Sequence, residues 1–295
     1  MPSIQPIADT EEIQRSPFRI SRDLFERVLT LTEKQPWLKD KQEGLIYLVE
    51  ECETVDEQVL VCDLLSRFCY VDAQRFEDLI TDIANKVERD WKLIPESTLL
   101  CALDNSRYAD SSQYVLYALK AAPWNSPTWN TSSFVNGLSK LVDTGKNPTD
   151  VVLVDEFMGT GTTAEKAINW LKTKLAEADL SPRIHLVMIA AMEEGATRIQ
   201  SMVDSFYAPI ILKKAISDFY EDLERQPKIE MMLSMEERLS TLSHRGKLKD
   251  HRLGYGKSES LFTRKGGNTP NNVFPIFWWE LDRNNQARRT VLKCL

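Results

Sequence analysis

The stretch VVLVDEFMGTGTTAEKAINWL, residues 151–171, constrains the fold more than any other part of the chain. Four apolar residues, Val151 to Val154, run without interruption into two adjacent acids, Asp155 and Glu156. A Gly/Thr-rich segment, Gly159-Thr160-Gly161-Thr162-Thr163, comes next, and then apolar positions at helical spacing. A short apolar run without alternation reads as a strand buried on both faces, as in the middle of a parallel sheet. The acids and the turn then fall at the carboxyl end of a core strand, where open α/β sheets bind their ligands.

The neighbouring sequence supports such a sheet. STLLCAL (residues 97–103), IHLVMIAAM (184–192) and YAPIILKKAI (207–216) read as further buried strands, with helical patterns between them. Strands alternating with helices of about a dozen residues imply βαβ units and a mainly parallel sheet covered on both faces. FVNGLSKLVD (134–143) reads as a helix, and no convincing strand pair is expected between Ala122 and Asp150. The first ninety-odd residues read as helices, the first of them capped by Ser21. The expected organisation is a helical region over 1–94 and an α/β domain over 95–295.

The composition of the turn specifies a ligand. Glycines admit positive φ and let a ligand approach the backbone, so successive N–H groups converge at a helix start where the dipole is positive. Thr160, Thr162 and Thr163 add hydroxyl donors. This suits one phosphate group. Two acids beside it would repel a bare polyphosphate, so they should face something that donates hydrogen bonds: ribose hydroxyls or a hydrated Mg²⁺. The deduced ligand is a ribose with a phosphate at one end. A nucleotide-triphosphatase P-loop does not fit, because GTGTT lacks lysine. GYGKS (254–258) has His251 where the first glycine belongs and follows no apolar strand.

On these residues the chain resembles the type I phosphoribosyltransferases. Their phosphoribosyl pyrophosphate signature matches the apolar run, Asp155-Glu156 and the Thr160-Gly161-Thr162-Thr163 turn. The resemblance implies an α/β fold with a mainly parallel sheet of phosphoribosyltransferase type, preceded here by the N-terminal helical region. It assigns Asp155 and Glu156 to the ribose hydroxyls and to stabilising positive charge that develops on the ring, and Gly159 to Thr163 to the 5′-phosphate. It implies Mg²⁺ held mainly through the ligand's phosphates, with Asp155 as the one direct protein ligand considered. It places a pyrophosphate loop at Asp104, Ser106 and Arg107, with Ser111 and Ser112 beside it. It also places a base-binding hood in the C-terminal segment, with Asn271 and Asn272 reading a base edge and Trp278 stacking on it. Packing is the competing role for these aromatic residues, since aromatic clusters are usually core.

The family's flexible basic lid has no counterpart between Ala122 and Asp150, so the binding site is better marked than the reaction. The phrase NTPNN…P.FW resembles a divergent bacterial branch found in conflict and antiphage operons, some beside retron reverse transcriptases. That likeness implies a defence effector. Its implied partners are a phosphoribosyl-containing small molecule and a reverse transcriptase–msDNA complex or another defence protein. The alternative is a catalytically silent nucleotide-sensing or assembly subunit.

Charge and cysteine content narrow the remaining classes. A net charge of −7 argues against general coating of nucleic acid or anionic membrane. The charge is uneven: residues 238–295 carry 12 Lys and Arg against 4 Asp and Glu. The 5 cysteines include no CxxC pair, and with 3 histidines they form neither a zinc set nor a disulfide framework. No histidine has an evident nucleophile beside it, so none is read as a catalytic base. Residues 1–15 carry three acids and no apolar core. A cytoplasmic protein with no membrane segment is expected.

Overall fold

The structure is a computed structural model and describes residues 21–104, 111–129 and 133–294. The chain begins with α1 (Arg22–Lys34), α2 (Gln42–Glu50) and α3 (Val55–Ser66), then β1 (Cys69–Val71) and α4 (Ala73–Asn85). The central part is β2 (Thr98–Ala102), α5 (Ser111–Lys120), β3 (Phe134–Val135), α6 (Leu138–Val142), β4 (Asp150–Met158), α7 (Thr162–Glu177), β5 (Arg183–Met192), α8 (Glu193–Gln200), β6 (Ser205–Tyr207) and β7 (Ile210–Leu212). The C-terminal part holds α9 (Asp222–Glu236), β8 (Leu242–Ser243), β9 (Gly246–Lys247) and β10 (Phe262–Arg264).

The central sheet is parallel throughout, in the order β3-β2-β4-β5-β6, with β7 also pairing β5. Its strands alternate their side chains between two apolar layers. Leu100, Val152, Val154 and Val187 pack against α4 and α5. Leu99, Val151, Leu153 and Leu186 pack against α6, α7 and α8. Covering both faces is why Val151 to Val154 tolerate no polar residue: all four are 0% exposed.

Three parts of the sheet structure differ from the sequence expectation. The first is β1 (Cys69–Val71), a strand within the N-terminal stretch read as helices, where α3 stops at Ser66 and the chain pairs with β10. The apolar run 207–216 is not one strand, because Pro209 has no N–H to give a ladder and divides β6 from β7. Within 134–143, Phe134 and Val135 pair with β2 before the helix begins at Leu138.

A third apolar cluster joins the N-terminal helices to the C-terminal segment. Leu38, Leu60, Leu64 and Leu65 share it with Met232, Phe274, Phe277 and Trp279. The Ser21 Oγ accepts the Leu24 N–H at 3.1 Å, which caps α1 as its sequence position implies. β1 runs parallel to β10 and pairs Val71 with Arg264. This pairing carries the C-terminal segment to the end of the sheet where β4 finishes.

Candidate functional site

β4 ends at Met158, and the chain turns through Gly159 to Gly161 into the 16-residue α7. Gly161 has φ +78°, a left-handed conformation open to glycine at little cost, and it stands at the helix N-cap. The opening N–H groups of a helix have no intrahelical acceptor, so the turn presents donors to the space in front of it. The Thr160 and Thr162 hydroxyls lie 3.1 Å apart, and Arg198 Nη1 donates to Thr162 Oγ1 at 3.3 Å. Behind the turn, α8 approaches so closely that a side chain on Gly195 would overlap the Gly159 carbonyl.

The two acids occupy different surroundings, as successive side chains on an extended strand must. Asp155 is partly exposed; its Oδ1 accepts from the Glu156 N–H at 2.6 Å and from Ser111 Oγ at 3.3 Å. Glu156 is only 2% exposed. Arg264 Nε donates to Glu156 Oε1 at 3.0 Å and Nη2 donates to Oε2 at 3.1 Å, a two-pronged buried ion pair. The guanidinium also lies over the Tyr114 ring at 4.3 Å and the Phe76 ring at 5.0 Å. Glu156 thus fastens the strand end to β10 as well as bordering the cavity.

That cavity has a volume of about 840 Å³. One wall is Asp155, Glu156 and the turn Gly159 to Thr163; the other comes from the C-terminal segment and includes Arg245, His251, Tyr255, Asn271 and Asn272. Asn271 is exposed. Asn272 is mostly buried, and its Nδ2 donates to the Tyr255 carbonyl and to Ser258 Oγ, each at 3.0 Å. A side chain on Gly159 would overlap the Asn272 amide, so Asn272 locks the C-terminal segment onto the turn. Trp278 does not border the cavity; it is 2% exposed and its Nε1 donates to the Val273 carbonyl at 2.9 Å. The GYGKS segment rejected as a P-loop lies against the turn, with Gly256 on the Thr160 methyl.

On the side of β2, Asp104 ends the described stretch, and its carbonyl accepts the Leu138 N–H at 3.2 Å. Ser106 and Arg107 lie outside the described residues. Ser112 is fully buried, while Ser111 meets Asp155 as above. Among the described residues, no group of three or more His, Cys, Asp and Glu could hold a metal ion, and no helix is long and apolar enough to cross a membrane.

Sequence reasoning missed Arg264, Gly195, Arg245 and Tyr255. Only Gly195 left a local trace, since a glycine near a helix start without a capping role marks a close approach.

A parallel sheet carrying a strand, two acids, a Gly/Thr turn and a helix at its carboxyl edge defines a protein of phosphoribosyltransferase type. The chain belongs to the PRTase-CE family, whose model matches residues 51–288. Two solved structures are similar in part. The HGPRT-ase of Leishmania tarentolae in complex with GMP is 18% identical, with a TM-score of 0.33 over 50% of this chain and 82% of that one. The xanthine-guanine-hypoxanthine phosphoribosyltransferase of Helicobacter pylori is 14% identical, with a TM-score of 0.33 over 50% of this chain and 95% of that one. No curated protein matches the chain.

Proposed function

We propose that the cavity binds the 5-phosphoribosyl group of phosphoribosyl pyrophosphate or of a nucleotide, and that the protein transfers or cleaves at the anomeric carbon of the ribose. The observation that carries this reading is the left-handed Gly161 opening α7 directly beyond the partly exposed Asp155, both in the wall of one cavity. The 5′-phosphate accepts hydrogen bonds from the turn N–H groups and threonine hydroxyls, and the ribose diol donates to Asp155. Binding energy from the phosphate, remote from the reacting carbon, then holds that carbon in place. Asp155 stabilises positive charge as it develops on the ring. Glu156 retains acceptor capacity beyond the two bonds from Arg264, so it bounds the sugar while staying fixed. Asn271 is the amide placed to read a base edge.

A Mg²⁺ that keeps most of its water would be held through the ligand phosphates, with Asp155 as the one protein carboxylate. When bound, such an ion neutralises phosphate charge. The role in antiphage defence and a reverse transcriptase–msDNA partner rest on the likeness of NTPNN…P.FW and belong to the same proposal.

A second reading, a catalytically silent nucleotide sensor, is favoured by the Glu156–Arg264 pair, which ties one of the two acids to packing. Titration calorimetry with phosphoribosyl pyrophosphate tests the binding site. Thr160→Val should weaken binding by about 1–3 kcal/mol if its hydroxyl donates to the phosphate; equal affinities would remove the phosphate assignment. Incubation with NAD, nucleotides and phosphoribosyl pyrophosphate, followed by mass spectrometry, separates the readings. Products that disappear with Asp155→Asn identify an enzyme, and binding without product identifies the sensor.

A further inference from the structure

One short loop of the C-terminal segment lies directly on the Gly/Thr turn, and its backbone is strained. Within residues 253–259, φ is +57° at Leu253, +77° at Gly254, +68° at Gly256, +55° at Lys257 and +48° at Glu259. Left-handed backbone at the residues other than glycine costs free energy that the surroundings must offset. The offset comes from hydrogen bonds at both ends of the loop. The Glu259 N–H donates to the Leu253 carbonyl at 2.8 Å and closes the loop on itself. Glu236, fully buried at the end of α9, accepts the Leu253 N–H at 3.0 Å. The buried Glu259 carboxylate accepts the Ile216 and Ser217 N–H groups at 2.8 and 2.7 Å. A strained loop held by two buried acids points to a task at its tip.

That tip is Gly256, which lies over Thr160. A Cβ at position 256 would stand 2.5 Å from the Thr160 methyl carbon and 3.9 Å from its hydroxyl oxygen. The methyl therefore faces the loop, while the hydroxyl lies 3.1 Å from that of Thr162. A threonine side chain has three staggered wells and turns as one body, so a wall against its methyl decides where its hydroxyl points. Glycine admits both the φ of the loop and the close approach. We infer that residues 253–259 form a clasp whose positioning residue, Gly256, fixes the Thr160 rotamer, so that the turn binds phosphate well only while the clasp is seated. The inference rests on the phosphoribosyl reading above and adds to it how the C-terminal segment prepares the Gly/Thr turn. It also gives the buried Glu236 and Glu259 a part in ligand binding, exerted through the loop they hold.

Two measurements on the full chain test this. In NMR of threonine-methyl-labelled protein without ligand, three-bond couplings from the Thr160 methyl carbon to its backbone report χ1. Wild type should show one rotamer, and Gly256→Ala a different rotamer or an average. Averaged couplings in wild type, or couplings unchanged in Gly256→Ala, refute the clasp. Calorimetry with ribose 5-phosphate then reads the consequence. Gly256→Ala should bind about tenfold more weakly, the loss of one hydrogen bond to a charged group. Thr160→Ser keeps the hydroxyl without the methyl and should lose at most about threefold, the cost of selecting one well in three. The double variant Thr160→Ser/Gly256→Ala should match Thr160→Ser, because no methyl remains for the alanine to displace. A double variant as weak as Gly256→Ala would assign the loss to backbone strain at position 256 and overturn the inference. If wild type does not bind ribose 5-phosphate, the phosphoribosyl reading fails, and the couplings alone decide whether the clasp sets Thr160. Should Gly256→Ala not fold, averaged wild-type couplings still refute the clasp.

Discussion

Replacing Arg264 by methionine leaves a carboxylate, 2% exposed, without its counter-charge between the sheet and the α4–α5 layer. The two direct hydrogen bonds, at 3.0 and 3.1 Å, disappear together, and no other hydrogen bond to the Glu156 carboxylate appears among the described residues. Breaking a buried pair from one side costs about 3–5 kcal/mol, because the remaining charge loses its compensation and is not rehydrated. Glu156→Gln leaves a guanidinium that still donates to the Lys265 carbonyl at 3.1 Å and still lies over two aromatic rings, so a smaller loss of about 1–3 kcal/mol is expected. In the double variant Glu156→Leu/Arg264→Met both charges are gone, and most of the loss should return. Urea unfolding with a common slope measures the four stabilities. The coupling between positions 156 and 264 should be about 2 kcal/mol or more. A cost below about 1 kcal/mol for Arg264→Met, as for an exposed pair, would refute the burial of Glu156 and its role in tying β10 to the site.

Gly195→Ala places a methyl against the Gly159 carbonyl and should shift the turn, weakening ribose 5-phosphate binding by about 1–3 kcal/mol though the residue does not border the cavity; calorimetry showing wild-type affinity would contradict the packing argument. Glu236 is fully buried, and burial pushes its carboxyl up to about 8 against the opposing Leu253 N–H bond and the Arg252 charge. A group protonated more readily in the folded state stabilises fully below its unfolded value near 4.5, and this contribution is lost as pH rises toward 8. Over that window stability should decline by up to about 1.4 kcal/mol per pH unit, and Glu236→Gln should flatten the slope in urea titrations from pH 5 to 9.

The centre of the fold was legible because its physics is local. A run such as Val151 to Val154 can be buried only between two helical layers, and Gly161 at a strand-to-helix turn permits the φ that the structure has. The Gly/Thr turn is one continuous stretch of chain and could be read as such. Glu156 was legible only as an acid beside Asp155, because its partner lies 108 residues away on a three-residue strand with no periodic signal. The C-terminal aromatic residues could be read either as core or as base contacts. The three-dimensional packing puts Trp278 inside, and leaves Asn271 and the unanticipated Tyr255 on the cavity. Arg245 was hidden for another reason: in sequence it is one basic residue among several, and only the hairpin distinguishes it from its neighbours.

The most direct test of the phosphoribosyl site is a crystal structure of the protein with ribose 5-phosphate. The phosphate oxygens should lie about 3 Å from the backbone nitrogens of the Gly161–Thr163 turn, with the ribose hydroxyls at Asp155. A phosphate bound elsewhere, with Asp155 turned away from the sugar and no anion against Gly161, would contradict the account.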